Sequence, residues 1–374
     1  GRKELTGRTG MTVRHFNDER APEALHKANF IALAPFIFAA AKAMRDLGFF
    51  RLLADSDTGL TKRELADKAG VTFYAASVLI DAACRADMVY REEENVNDAD
   101  SRWSLTKTGL YLATDRMTEV NLNFSADVCA EGLLSLTESL RTGKPAGLRT
   151  FSETASTIYP LLETLPEPVR KSWFDYDHFY SDHVFEEELP ILRRETSFRS
   201  VCDVGGNTGK FALAAASFDP EVKVTIADLP EQCAAAKEKI AAAGLSKRIA
   251  LNPCDILKSS PADLPRGIDV WWMSQFLDCF SNEQAVQILS LVRGAMEDGA
   301  VLAVNEIFGD RQRRDTAALV VDECSLYFTA IANGVSRFFN SGEFMECLAA
   351  AGFRVRSVRD GLGLGHTLII AEKA

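Results

Sequence analysis

The sequence predicts two domains of different class. One is a mainly helical N-terminal domain with the order of a winged helix, and the other is a C-terminal α/β domain with a doubly wound, mostly parallel sheet. Three observations predict this. A chain of 374 residues exceeds the size at which one hydrophobic core usually keeps growing. From Ser200 onward, strand-like and helix-like segments alternate. Before that point the apolar residues recur mostly at helical spacing, with only two short strand-like segments.

The first helical segment runs from Pro22 to about Leu53, and Phe30 to Phe38 is apolar nearly all round, so it must be covered on every side. Thr61 with Glu64 three residues later forms a capping-box pattern that starts a second helix, and Gly70 ends it. A third helix spans Thr72 to Ala86. Met88–Arg91 and Arg102–Leu105 then alternate like two strands around an acidic loop. Residues 1–115 form this domain, 116–198 a helical connector broken by a loop or hinge at Gly143–Gly147, and 199–374 the α/β domain. In the last, strands are expected at 200–204, 222–227, 249–251, 268–273 and 300–307. An antiparallel hairpin is expected from Arg354–Val358 and Thr367–Ala371.

Charge narrows the partners. The chain carries 42 basic and 53 acidic side chains, a net charge of −11, which disfavours nucleic acid and anionic membrane surfaces and suits a small-molecule ligand. A winged helix usually reads DNA, yet no Lys or Arg lies between Lys68 and Arg85, and residues 1–110 hold 16 basic against 16 acidic side chains. The longest uncharged apolar run, Phe30 to Ala41, contains Pro35 and has 12 residues, against about 20 for a spanning helix. With no apolar leader after Gly1-Arg2-Lys3-Glu4, the cytoplasm is the expected compartment. The eight cysteines include no C-x-x-C pair, so no metal site is expected.

The functional signal sits at the first strand-to-helix turn, Asp203-Val204-Gly205-Gly206-Asn207-Thr208-Gly209, where open α/β sheets bind ligands. It is neither G-x-G-x-x-G nor a P-loop, so dinucleotides and phosphate cradling lose support. Gly205, Gly206 and Gly209 permit a close approach of backbone to ligand. Asp203 would repel a pyrophosphate but suits an ammonium. Asp228, at the end of the second strand, can accept hydrogen bonds from both hydroxyls of a ribose, and Asp255 ends the third.

These motifs, with Ala227-Asp228-Leu229-Pro230, Cys254-Asp255-Ile256 and Ala350-Ala351-Gly352-Phe353, resemble in order those of the plant-type and bacterial small-molecule O-methyltransferases. The resemblance covers nearly the whole chain. It implies a Rossmann-like class I methyltransferase domain, S-adenosylmethionine as cofactor, and a winged-helix dimerisation domain that makes a homodimer. It also implies methionine-end contacts at Asp203 and Gly205 within the Gly206–Gly209 turn, a ribose contact at Asp228 beside Leu229, and adenine contacts at Asp255 and Ile256. Ser274, followed by Gln275 on the cofactor side, stands where the family usually has a Lys.

The chain departs from the family at the base. The pattern Leu-His-Asp-Trp is replaced by Leu277-Asp278-Cys279-Phe280, which puts Asp278 where the family's proton-abstracting His belongs. Glu306 matches one carboxylate that flanks that His, and the second is absent from Asn333–Arg337. His178 and His183 are alternative bases on a helix that in the family lines the pocket. An aspartate is a poor base unless burial or Glu306 raises its pKa, and positioning alone could also suffice. The expected activity is methyl transfer, to oxygen of an aromatic or polyketide-like acceptor. The rivals are a methyltransferase fold that uses its cofactor structurally in hydroxylation or decarboxylation, and a ligand-sensing regulator.

Overall fold

The structure, a computed structural model, describes residues 20–93, 97, 100–181 and 184–374. Contacts divide these into two compact units. One comprises Glu131–Leu165 and Asp177–Ala374, and the other the described residues up to Ala130 with Pro166–Tyr176. The stretch expected as a connector is therefore shared between them, and the boundary falls inside a helix.

In the unit that holds the N-terminal part, the expected first helix is three: α1 (Ala21–Ala32), α2 (Ala34–Asp46) and α3 (Phe49–Ala54). Pro35 cannot donate into a preceding turn, and α1 and α2 meet at a bend of 63°. Gly48, at φ +73°, separates α2 from α3. Among the described residues the expected covering of the first part of this apolar stretch is absent. No residue of α1 is buried, and Leu25, Ile31 and Phe36 are 65%, 74% and 73% exposed.

After β1 (Leu60–Thr61), α4 (Lys62–Ala69) begins with the expected capping box: Thr61 Oγ1 accepts from Glu64 N–H at 3.1 Å, and Glu64 accepts from Thr61 N–H at 2.8 Å. Helix α5 (Phe73–Arg85) is capped by Thr72. Strands β2 (Val89–Arg91) and β3 (Arg102–Leu105) complete a small antiparallel sheet in the order β1-β3-β2. Helices α6 (Lys107–Thr114) and α7 (Arg116–Asn123) follow. Met44, Phe49, Leu65, Ile80 and Trp103 centre the core. Lys62 is fully buried there, paired with Asp81 at 2.7 Å and lying 5.2 Å from the Trp103 ring centre.

The other unit opens with α8 (Leu136–Thr142). Helix α9 (Glu167–Ser181) crosses the boundary between units, and α10 (Phe185–Glu195) follows. The loop or hinge expected at Gly143–Gly147 is a turn at 143–145, where Gly143 ends α8, and its last two residues, Ala146 and Gly147, are buried in a short helical turn. A Cβ at Gly147 would collide with the Gly132 carbonyl, so this segment is tightly packed instead.

Alternation then holds as expected. The elements are β4 (Ser200–Val204), α11 (Lys210–Phe218), β5 (Lys223–Asp228), α12 (Pro230–Ala242), β6 (Ile249–Pro253), β7 (Val270–Ser274), α13 (Asn282–Ala295), β8 (Val301–Ile307), α14 (Asp315–Tyr327), α15 (Ser341–Ala350), β9 (Phe353–Leu362) and β10 (His366–Lys373). Seven strands form one sheet in the order β6-β5-β4-β7-β8-β10-β9, parallel except for β10, which runs antiparallel to β8 and β9. Strand β4 pairs with both β5 and β7, so the chain order reverses there. Beyond the carboxyl ends of such strands a crevice opens. Every residue of β8 is buried, because apolar layers cover both faces: Trp271, Leu302 and Ile369 on one, Trp272, Ala303 and Leu368 on the other. No single helix among the described residues is long and apolar enough to cross a membrane.

Candidate active site

Strand β4 delivers Asp203 and then turns through Gly205 (φ +74°), Asn207 (φ +48°) and Gly209 (φ +85°) into α11. These left-handed conformations need glycine or a short polar residue. Gly205 must also lack a side chain, since a Cβ would run into the Phe276 ring. Asp228 at the end of β5 ties the turn down, accepting from Asn207 N–H and Leu229 N–H, both at 2.7 Å. Burial raises its pKa, while the two N–H groups oppose the rise.

Asp203 differs. It is 2% exposed, its Oδ2 has no hydrogen-bond partner, and burial, with the charge of Asp228 added, pushes its pKa up to about 8. An unpaired buried carboxylate is costly, so this oxygen suits a cationic donor. That fits the ammonium of S-adenosylmethionine and not a phosphate.

The remaining residues expected beside the cofactor are engaged locally. Asp255 accepts from Leu257 N–H at 3.2 Å and pairs with Lys258 at 2.6 Å. Ile256 is 8% exposed within the core, whereas Leu229 is 44% exposed. Ser274 accepts from Asn305 Nδ2 at 2.9 Å. Gln275 is held at φ +44°, an unusual conformation for a non-glycine residue, and its Oε1 lies 3.3 Å from His366 Nε2. His366, which had no supporting context in the sequence, is fully buried on β10, and burial drops its pKa to about 4.

Beyond β7 the chain makes a tight turn at Leu277–Cys279 before Ser281 caps α13. Asp278 and Glu306 are 3% and 1% exposed. Glu306 anchors the turn by accepting from Leu277 N–H at 3.2 Å, with the Phe276 and Asp278 N–H groups close enough to favour its charged form, while its Oε2 has no partner. Burial pushes Asp278 up to about 7, the Cys279 thiol opposes this, and the charge of Asp177 adds to it. Burial and then Asp278 hold Glu306 well above the usual carboxylate range. The pair therefore retains a proton near neutral pH, which makes a carboxylate a usable base there.

On α9 the group whose charge reaches Asp278 is Asp177. His178, about 100° further round the helix, is exposed, and His183 lies outside the described residues. Where the second flanking carboxylate is missing, Asn333 closes the π-helical turn Phe328–Ala332 and donates through Nδ2 to Tyr159 Oη at 3.0 Å and to the Cys279 carbonyl at 3.1 Å. Asp177, Tyr159, Cys279 and Asn333 carry no local sequence signal beyond the gap noted at 333–337. Among the described residues, no three His, Cys, Asp or Glu side chains group to hold a metal ion.

The family model for an O-methyltransferase domain matches residues 185–354, and that for a Dimerisation2-like domain matches residues 26–96. The L-tyrosine C(3)-methyltransferase of Streptomyces lavendulae is 25% identical, over 95% of this chain and 94% of its own. The two matches give the chain an O-methyltransferase domain preceded by a dimerisation-type domain, as in the S-adenosylmethionine-dependent O-methyltransferases. The chain is a small-molecule methyltransferase whose cofactor is S-adenosylmethionine. A second relative of this methyltransferase, the 3-hydroxy-5-methyl-1-naphthoate 3-O-methyltransferase of Streptomyces sahachiroi, is 25% identical over 84% of this chain and 85% of its own. Among solved structures, the fold is similar to that of the S-adenosylmethionine-dependent methyltransferase SibL, with TM-score 0.67 and 24% identity over 93% of this chain and 99% of that one. It is equally similar to the mitomycin 7-O-methyltransferase MmcR, with TM-score 0.67 and 20% identity over 94% and 98%.

Proposed function

We propose that this methyltransferase acts on the hydroxyl oxygen of an aromatic or polyketide-like small molecule, and that Asp278 and Glu306 take up the proton the hydroxyl gives up. The observation that carries the reading is a buried carboxyl pair, Asp278 on the turn whose Phe276 lies against Gly205 and Glu306 on β8, which sets the proposed base next to the Gly205 turn. Asp203 would hold the ammonium of the methionine end, with Gly205, Gly206 and Gly209 giving the backbone room to approach. Asp228 would hold the ribose with Leu229 beside it, and Asp255 and Ile256 the adenine edge. Ser274 and Gln275 would border the same crevice. When bound, S-adenosylmethionine supplies a methyl group on a cationic, already electrophilic sulfur. Asp278, ionising at about 7, is matched to removing a proton from an acidic phenol near neutral pH.

The relative that aligns over nearly the full length of both chains methylates a ring carbon by its name, and this favours a second reading. An ionised phenol is nucleophilic at oxygen and at the ring carbons ortho to the hydroxyl; after methylation at carbon the ring proton there leaves to restore aromaticity, and the same carboxyl pair serves either outcome. Incubation with S-adenosylmethionine and a panel of phenols, hydroxynaphthoates and L-tyrosine, followed by NMR of the products, should give an O-methyl ether under the first reading and a ring C-methyl under the second. Absence of S-adenosylhomocysteine with every acceptor would overturn both and favour a structural role for the cofactor.

We also propose a homodimer, supported by the Dimerisation2-like match and by the bare apolar surface of α1 and α2. Light scattering at low micromolar concentration should give twice 41.1 kDa, and a monomer mass would refute this.

A further inference from the structure

Asp278 is the end point of a run of polar contacts that begins at Asn333, just after the π-helical turn that follows α14. Asn333 Oδ1 accepts from Val335 N–H at 2.9 Å and Ser336 N–H at 3.0 Å, which settles which end of the amide is the donor. Its Nδ2 donates to Tyr159 Oη at 3.0 Å. The Tyr159 hydroxyl therefore keeps its own proton to give, and it lies beside the Cys279 thiol, whose charged form it favours. Cys279 Sγ in turn donates to Asp278 Oδ1 at 3.5 Å, an ordinary length for a sulfur donor. Both hydrogen bonds run one way, amide to phenol and thiol to carboxylate, and the phenol lies beside the thiol between them. Chains of this kind polarise each other inside a protein.

We propose that Tyr159 and Cys279 are positioning residues for methyl transfer, which hold one oxygen of Asp278 and leave the other for the proton of the acceptor. This rests on the reading of Asp278 as proton acceptor. It explains why the second flanking carboxylate can be absent: a further carboxylate would add to the like charges of Asp278, Glu306 and Asp177, whereas Asn333 supplies a donor. The groups that bear on Asp278 are Asp177 from α9, Glu306 from β8 and Cys279 beside it, and of these the thiol is the one that favours the charged carboxylate. Tyr327 on α14 bears on Tyr159. Breaking the chain should therefore raise the pH at which Asp278 ionises. A thiol is a weak donor, so the rise should be about half a unit to one unit.

The test uses the purified full-length chain with S-adenosylmethionine and infrared difference spectroscopy. The protonated-carboxyl band of Asp278, isolated by subtracting the spectrum of Asp278→Asn, is titrated with pH. In Cys279→Ala its midpoint should move up by about half a unit to one unit. Cys279→Ser, which keeps a donor, should leave it near wild type, and Tyr159→Phe should give a smaller rise and shift the Cys279 S–H stretching band. Calorimetric titration with S-adenosylmethionine, unchanged in each variant, certifies the fold. An unmoved midpoint in both Cys279→Ala and Tyr159→Phe, or no rescue by Cys279→Ser, overturns the proposal. The underlying reading fails by a different observation, full turnover by Asp278→Asn on a phenolic acceptor from the panel.

Discussion

The two halves of the sheet's carboxyl edge are built on different plans. Around β4 and β5 the proposed cofactor site is mostly backbone: left-handed positions at Gly205, Asn207 and Gly209, and N–H groups of Asn207 and Leu229 gathered by one carboxylate. Around β7 and β8 the proposed acceptor site is made of side chains: Asp278, Glu306, Cys279, Tyr159 and Asn333. A backbone-defined site changes only if the turn itself changes. A side-chain-defined site can exchange members one at a time, provided that buried charge and hydrogen bonds stay balanced. The sequence resemblance to the O-methyltransferases rests on motifs of the first half, and the departures from it noted in the sequence, at Ser274, Asp278 and the 333–337 stretch, all fall in the second.

The division predicts that substitutions in the two halves have separable effects. Asp278→Asn should lower kcat by about 10²–10⁴-fold, the usual range for losing a general base, with the affinity for S-adenosylmethionine unchanged. Asp228→Ala should do the converse. Losing charge-assisted hydrogen bonds should raise the Kd for S-adenosylmethionine by roughly 10–100-fold, while kcat at saturating cofactor stays near wild type. Kinetics and calorimetry on the two variants check both, and a Kd change in Asp278→Asn as large as in Asp228→Ala would show that the halves are one unit.

The same difference explains what was legible in the sequence. The alternation of strands and helices, the Asp203–Gly209 turn and the capping box at Thr61 are local patterns, each written in a few adjacent residues. Asp278 and Glu306 stood out only as positions relative to the family, and nothing local says that their carboxyls are buried together. Tyr159 meets Asn333 across 174 positions of chain, a contact that no spacing rule anticipates. The α9 side chain that bears on Asp278 is Asp177, one residue before His178, because a helix turns its successive side chains to different sides. The apolar stretch from Phe30 was legible as a surface to be covered, but among the described residues nothing covers Ile31, Leu33 or Phe36.

The smallest expected effect concerns the one side chain in the cofactor half that the backbone does not satisfy. Asp203 has its pKa pushed from 3.8 up to about 8 by burial. At pH 7 it therefore holds a proton in the ligand-free protein, while an incoming ammonium needs the carboxylate. Affinity for S-adenosylmethionine should accordingly rise with pH by about fivefold between pH 7 and pH 8 and level off above about 9, and binding at pH 7 should release close to one proton. The sign for the fold is opposite. A carboxyl with a raised folded pKa contributes stability that is fully present below about pH 4 and is lost as pH rises through about 8, so this contribution is smallest where the cofactor binds best. Calorimetry in two buffers of different ionisation heat counts the released proton, and melting curves across the same pH range follow the stability. Asp203→Asn should abolish the proton release and leave the pH dependence of turnover, which belongs to Asp278, in place. If instead the release persists in Asp203→Asn and disappears in Asp278→Asn, the ammonium is not held at Asp203, and the boundary drawn between the two halves falls with that assignment.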